Sequence, residues 1–284
     1  MPPMTVPTIT LNDRTTIPQL GFGVFQVPPE DTAEVTSTAL EVGYRHIDTA
    51  QMYGNEAGVG EALASSTLAR DEVYVTTKLN NNNHEPDDVR RSFEESLAKL
   101  QLDRTDLFLI HWPLPTRYDG DYVSTWKAMA ALVEEGLTRS VGVSNFNADH
   151  LERIIGETGV VPVVNQVEAH PYFHNDTVRD ASHAHQIAIE AWSPIAQGAV
   201  LDDATIKEIG EKYGKSASQV TLRWHVERGD IVFPKSTHRE RMTENFDIFD
   251  FSLTPDEVGR ITALGEGTEC RTGPDPAEMD YVPE

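Results

Sequence analysis

Short apolar runs rich in β-branched residues recur along the chain at Leu20–Phe25, Tyr44–Ile47, Val73–Thr77, Leu107–Ile110, Ser140–Val143, Val163–Val167, Ile187–Ala191 and Ile231–Phe233. Their apolarity is continuous rather than alternating. That predicts strands covered on both faces, as in a parallel sheet. Between the runs the period changes. Val89, Phe93, Leu97 and Leu100 fall on one helical face, as do Ile206, Ile209 and Tyr213. Thr254-Pro255-Asp256-Glu257 supplies an N-cap, a proline at the first helical position and acids in the first turn. Strand alternates with helix about eight times, the arithmetic of a single α/β (β/α)8 barrel of about 250 residues. The stretch Thr8–Ile17, with Asn12-Asp13-Arg14 at its centre, predicts an extra N-terminal β-hairpin plugging the barrel bottom. Residues 265–284 are left as a short C-terminal tail. No Pro/Gly/Ser-rich linker interrupts the chain, so residues 1–284 are expected to form one domain.

Composition narrows the partners. The 284 residues carry 46 acidic and 23 basic side chains, a formal net charge of −23. Nucleic acid and anionic membrane are excluded as default partners, because like charges repel at long range. An anionic ligand would need a local basic pocket. The single cysteine, Cys270, forbids an internal disulfide and fits a reducing compartment. Met1–Thr10 lacks a signal-peptide pattern, and no apolar run approaches the ~20 residues of a membrane span. A cytoplasmic protein is expected. His183 and His185 are two apart in an expected helix and so face different ways, and no metal site is expected. Gly21-Phe22-Gly23 is followed by Gln26 where a dinucleotide fingerprint needs its third glycine, so that motif is rejected.

The chemistry gathers where strands end, which in a barrel of this kind is the active face. Asp48 ends the second run, with Tyr53 in the next turn. Lys78 ends the third and His111-Trp112 the fourth. Ser144-Asn145, Asn165-Gln166, Trp192-Ser193 and Lys235-Ser236 end the fifth to the eighth. An ammonium beside a tyrosine is expected to lower its pKa, and Asp48 could hold the charge on a buried Lys78. His111 could give a directional hydrogen bond to a substrate oxygen. The set reads as a proton donor for a carbonyl becoming an alkoxide. With no activated nucleophile present, the other reactant is expected to be a cofactor's hydride. Asn145 and Gln166 match a carboxamide, and Trp192 offers a flat face to a nicotinamide. From Lys235 to Arg241 three certain cations fall in seven residues, a reversal of the chain's charge that suits a phosphate.

At this point the sequence resembles the aldo-keto reductase superfamily over nearly its full length. The stretches are Gly43-Tyr44-Arg45-His46-Ile47-Asp48-Thr49-Ala50, Tyr53-Gly54-Asn55-Glu56, Gly58-Val59-Gly60, Thr77-Lys78-Leu79, Leu109-Ile110-His111-Trp112-Pro113, Gly142-Val143-Ser144-Asn145-Phe146, Asn165-Gln166-Val167-Glu168 and Pro234-Lys235-Ser236. Trp192 and Gly273-Pro274-Asp275-Pro276 make it most similar to the bacterial 2,5-diketo-gluconate reductase branch. The resemblance implies NADPH as cofactor and a tetrad of Asp48, Tyr53, Lys78 and His111, with Tyr53 as general acid in reduction. It implies that Ser144, Asn145 and Gln166 hold the carboxamide and that Trp192 stacks on the ring. Lys235, Ser236 and Arg241 match positions for the adenosine 2′-phosphate, Glu244 and Asn245 the adenine contacts, and Gln197 and Gly198 the loop over the pyrophosphate. Val24, Ser193, Pro194 and Thr237 complete the implied cofactor set. Phe25, Met52 and Trp112 are expected to line the substrate pocket, with Met279 or Tyr281 from the tail.

The sequence departs from the family too. Asn80 stands where many animal members have tryptophan, and the loop after Trp112 and the tail are short. A more open and more polar pocket follows. The expected reaction is reduction of small aldehydes, ketones, dicarbonyls or keto-sugars to alcohols by a monomer. Two alternatives stay open at this level: a redox-sensing NADPH-binding module with little turnover, and an NAD-linked dehydrogenase.

Overall fold

A computed structural model describes residues 6–265 and 267–283. Met1–Thr5, Glu266 and Glu284 lie outside the described residues, and with them the extremes of the expected 1–284 unit and two positions of the expected tail. Eight parallel strands follow one another in chain order: β3 (Phe22–Gly23), β4 (His46–Asp48), β5 (Tyr74–Leu79), β6 (Thr105–Ile110), β7 (Thr138–Ser144), β8 (Val164–Glu168), β9 (Ala188–Trp192) and β10 (Ile231–Val232). The last strand returns to the first. A parallel bridge joins Leu20 to Val232, Gly21 N donates to Val232 O at 2.8 Å, and Val232 N donates to Gln19 O at 3.0 Å. A closed barrel has no free sheet edge.

Around it lie α1 (Pro29–Val42), α2 (Glu56–Ser65), α3 (Pro86–Leu100), α4 (Tyr122–Glu134), α5 (Ala148–Thr158), α6 (Asp176–Ala184), α7 (Ala204–Tyr213), α8 (Ala217–Glu227), α9 (Arg239–Phe246) and α10 (Pro255–Thr262). The expected stripe on α3 is the one that packs: Val89, Phe93, Leu97 and Leu100 are buried against the barrel wall. The expected cap of α10 is a capping box, with Thr254 N donating to Glu257 Oε2 at 2.8 Å and Glu257 N to Thr254 Oγ1 at 3.3 Å. α6 stops at Ala184, so His185 lies beyond the helix expected to hold it, where its Nε2 meets Glu152 Oε1 at 2.9 Å.

The hairpin is β1 (Thr8–Thr10) paired antiparallel with β2 (Thr16–Pro18). Asn12 Nδ2 donates to Pro162 O at 2.8 Å, and Ser140 Oγ donates to Asp13 Oδ2 at 2.6 Å. Leu11 and Ile17 are buried with Tyr74, Leu107, Val163, Val164 and Ile231, which lie toward the starts of their strands. The hairpin therefore plugs the N-terminal end of the barrel, and a ligand has only the opposite end to enter.

Several strands differ from the apolar runs at their C-terminal ends. Asp48, Lys78, Ser144 and Trp192 lie inside strands rather than just past them. The strand can continue through these polar positions because their side chains find partners across the barrel. The first run, by contrast, keeps only Phe22–Gly23 as strand.

One close approach constrains the shell. A Cβ on Gly60 in α2 would sit 2.3 Å from Lys99 O and 2.8 Å from Leu100 Cα in α3. Gly60→Ala should therefore destabilise the fold by about 1–3 kcal/mol through backbone overpacking. A melting temperature equal to that of the wild type would refute this reading of the α2–α3 contact.

Candidate active site

At the open end a line of side chains crosses the barrel. Lys78 Nζ donates to Asp48 Oδ1 at 2.6 Å and to Thr49 O at 3.0 Å, and stands 3.4 Å from Tyr53 Oη. The Lys78 side chain is wholly buried. Burial alone would lower its pKa, but Asp48, Tyr53 and Glu190 more than offset this, and it stays above the ordinary lysine value. Lys78 is thus an ammonium. It also lies 5.1 Å from the centre of the Tyr53 ring.

Tyr53 departs from expectation. Burial raises its pKa more than Lys78 lowers it, and Asp48 adds to the rise, so the phenol is held above its usual value. The neighbouring ammonium does not pre-ionise Tyr53. It waits beside a protonated phenol and favours the phenolate only when the proton leaves.

His111 packs edge-on to Tyr53, with ring centres 5.6 Å apart. Burial, then Lys78 and His84, hold its pKa well below the histidine norm, so the ring is neutral. Its Nδ1 is sealed with no hydrogen-bond partner among the described residues. An unpaired buried N–H is costly, which favours the tautomer with the proton on Nε2. A neutral donor nitrogen results.

The amides are already engaged. Asn145, at a left-handed φ of 63°, donates to His111 O at 2.9 Å and Ser144 Oγ at 3.0 Å, and accepts from Trp192 Nε1 at 2.9 Å. Ser144 Oγ donates to Gln166 O at 2.8 Å. Gln166 Nε2 donates to Asp48 Oδ2 and to Glu190 Oε2, both at 2.8 Å. Asp48, Tyr53, Lys78, His111, Ser144, Asn145, Gln166 and Trp192 therefore form one connected constellation.

The other expected residues spread along the rim. Phe25, 55% exposed, packs 5.0 Å from the Tyr53 ring, while Trp112 is buried and Met52 half-buried. Val24 N donates to Asp48 O at 3.1 Å. Pro194 O meets His225 Nε2 at 3.1 Å, and Ser193, Gln197 and Gly198 sit in a turn with positive φ. Lys235, Thr237 and Arg241 are exposed at the entry to α9, with Ser236 buried beside them. Neither Lys235 nor Arg241 forms an ion pair among the described residues, whereas Arg239 is tied to Glu41 at 2.6 Å. Asn245 is buried and accepts from Ser218 Oγ at 2.8 Å, with Glu244 half-buried beside it. Tyr281 is exposed, and its carbonyl accepts from Asn81 Nδ2 at 2.8 Å.

Residues 19–266 match the aldo/keto reductase family. The chain belongs to that family. It is 47% identical over 273 residues to the methylglyoxal reductase DkgA of Escherichia coli, covering 95% of this chain and 97% of the relative. The crystal structure of an aldo/keto reductase from Brucella melitensis superposes with a TM-score of 0.88 at 50% identity, covering 92% of this chain and 100% of that one. A crystal structure of a Gox0644 variant in complex with NADPH superposes with a TM-score of 0.93 at 42% identity, covering 98% and 100%.

Two site residues of this aldo/keto reductase carried no expected role. Glu190 is fully buried on β9, and an acid inside the apolar run Ile187–Ala191 was the signal for it. Glu168, ending β8, holds the tail. It accepts from Thr272 N at 2.5 Å, Thr272 Oγ1 at 2.6 Å and Gly273 N at 3.0 Å, and meets His170 Nε2 at 3.1 Å. This draws Gly273 so close to Trp192 that a Cβ there would sit 2.4 Å from Cη2. Burial would raise the Glu168 pKa, but these hydrogen bonds outweigh it and hold the carboxylate below the ordinary 4.5.

A depressed carboxylate contributes its stability above the unfolded value and loses it as pH falls through the folded one. The latch is therefore complete above about pH 4.5 and weakens in stronger acid. Glu168→Ala should release residues 271–273 at neutral pH, seen as faster proteolysis of the tail and altered tryptophan fluorescence with an unchanged far-ultraviolet spectrum. Unaltered protease resistance would mean that the tail is held elsewhere.

Proposed function

We propose that this protein reduces small aldehydes and ketones, dicarbonyls and keto-sugars among them, to alcohols at the expense of NADPH. The observation that carries the reading is the buried chain Asp48–Lys78–Tyr53 beside neutral His111. The family membership and the NADPH and methylglyoxal reductase relatives support it. The residues present suit the cofactor. Gln166 Oε1 has no hydrogen-bond partner among the described residues, Trp192 presents a half-buried indole, and Lys235 and Arg241 have no ion-pair partner among the described residues in a chain of net −23.

Bound NADPH supplies the hydride. The protein's part is positioning and proton transfer. The His111 Nε2–H orients the carbonyl oxygen. The Tyr53 hydroxyl would give its proton to that oxygen as the carbonyl becomes an alcohol. The phenolate left behind is held by the Lys78 ammonium, whose charge Asp48 retains in the buried site. Solvent returns the proton. Lys78 thus acts mostly on the product side of proton transfer, which is where a differential interaction raises a rate. Lys235, Ser236, Thr237 and Arg241 would hold the 2′-phosphate, with Glu244 and Asn245 at the adenine. Val24, Ser193, Pro194, Gln197 and Gly198 would border the rest of the cofactor. Phe25, Met52 and Trp112 would line the substrate side. All these groups come from one barrel, so a monomer suffices and residues 1–284 act as one unit.

The purified protein should consume NADPH when given methylglyoxal, an aromatic aldehyde or a keto-sugar acid, and loss of activity with all three would defeat the reading. Tyr53→Phe should lower kcat by about 10²–10⁴-fold, the usual worth of a positioned acid, with NADPH binding retained. A fully active variant would remove Tyr53 from its role. Arg241→Ala should weaken NADPH about tenfold or more, as for a lost charge-assisted contact, while NADH changes little. Equal losses in both titrations would argue against a 2′-phosphate contact.

A further inference from the structure

Glu190 lies within the barrel below the site, and nothing in the reduction requires it. Its neighbour in register on β8 is Gln166, and on β10 Ile231. A carboxyl group among packed strands is expensive unless paired. Here burial, with Asp48 adding to it, pushes Glu190 up to about 8. Its Oε1 has no partner among the described residues, and only Oε2 is used, by Gln166. That one contact is what the group provides.

A glutamine amide has two donor hydrogens on nitrogen and an acceptor oxygen, and it can flip. Gln166 spends one hydrogen on the carboxylate oxygen Asp48 Oδ2, which has no hydrogen to give back, and the other on Glu190 Oε2. Flipping would turn Gln166 Oε1 toward both acids and break two hydrogen bonds, at least one of them charge-assisted. The oxygen is therefore the atom left over, the atom of the amide with no hydrogen-bond partner among the described residues. Asp48 alone would hold one hydrogen and leave the amide free to swing about that contact.

We propose that Glu190 is a positioning residue that locks the Gln166 amide, through the hydrogen bond Gln166 Nε2–H to Glu190 Oε2, so that Oε1 is committed in advance to accept from the carboxamide NH2 of the nicotinamide. The proposal rests on the NADPH reading above. It also joins two parts of the site. The same amide group that presents Oε1 to the cofactor touches Asp48, and through it Lys78 and Tyr53, so cofactor recognition and the proton donor share one hydrogen-bonded chain: Glu190, Gln166, Asp48, Lys78, Tyr53.

The test compares NADPH with its reduced 3-acetylpyridine analogue, which carries a methyl ketone in place of the carboxamide and has no NH2 to donate. Both are titrated against the whole protein by quenching of its tryptophan fluorescence, without turnover. Glu190→Met keeps the volume and removes the acceptor. It should weaken NADPH about tenfold, the worth of one well-placed hydrogen bond, and the analogue by less than about threefold. Glu190→Gln keeps an acceptor oxygen, which Asp48 obliges it to turn toward Gln166, and should restore most of the discrimination.

Equal weakening of both cofactors by Glu190→Met, or no weakening of either, overturns the proposal. So does a Glu190→Gln variant as impaired as Glu190→Met, since that would assign the effect to charge. Failure of the wild type to bind NADPH at all would instead defeat the functional reading. If Glu190→Met does not fold, the wild type labelled with ¹⁵N at glutamine gives a second readout. The Gln166 side-chain NH2 should exchange slowly with solvent and be unaltered by NADPH. Fast exchange, or a change of partner on binding, overturns the proposal equally.

Discussion

Everything at the open end of the barrel depends on one buried ion pair. Lys78 has no exposed side-chain surface, and a lone ammonium there would shed its proton. Asp48 at 2.6 Å prevents this. A pair of this kind adds little to stability on balance, yet removing either member leaves an uncompensated charge at a cost of about 3–5 kcal/mol. The pair is thus retained for what its charge does to its neighbours. Its ammonium adds to the burial that keeps His111 neutral and lies beside the Tyr53 hydroxyl, and its carboxylate gives Gln166 one of its two acceptors. Barrel register makes this possible, since Asp48 lies opposite Thr76 on β5 and Lys78 is the next residue on the same face.

The pair also explains an apparent conflict in Tyr53. A good acid at neutral pH would ordinarily have a lowered pKa, yet burial leaves this phenol above its usual value. The two demands apply at different moments. In the resting site the phenol keeps its proton, because the half-buried ring is partly desolvated and Asp48 opposes a second negative charge. In the proposed transfer the carbonyl oxygen would gain charge, and the ammonium 3.4 Å away would become the counter-ion of the phenolate. Electrostatic preorganisation of this type needs no movement of the protein.

Much of this was legible from residues alone. Continuous apolar runs gave a parallel barrel because strands covered on both faces leave no polar alternation. The hairpin was visible as a polar turn between strand-like flanks. The cluster of Asp48, Lys78 and His111 could be seen because each ended a run, with Tyr53 in the turn after Asp48. Less accessible were effects that require distance. The direction of the Tyr53 shift depends on how desolvation compares with a contact that spacing does not fix. The extension of the third strand through Lys78 depends on a partner, Asp48, thirty residues away in the chain. Glu168 was visible only as part of a motif, because its partners Thr272 and Gly273 come from the tail. Glu190 was the one legible signal left unread, an acid in the middle of an apolar strand.

The plugged end of the barrel divides the molecule's surface in a way that bears on how it can be handled. Hydrogen bonds from Asn12 to Pro162 and from Ser140 to Asp13 fasten the hairpin to one face, and the tail crosses the other, from Glu168 to Asn81. A solid support or a fused partner attached beside the hairpin would leave the mouth open to diffusing ligands. The same attachment near Tyr281 would stand over the entrance and load the segment that rests on Trp192.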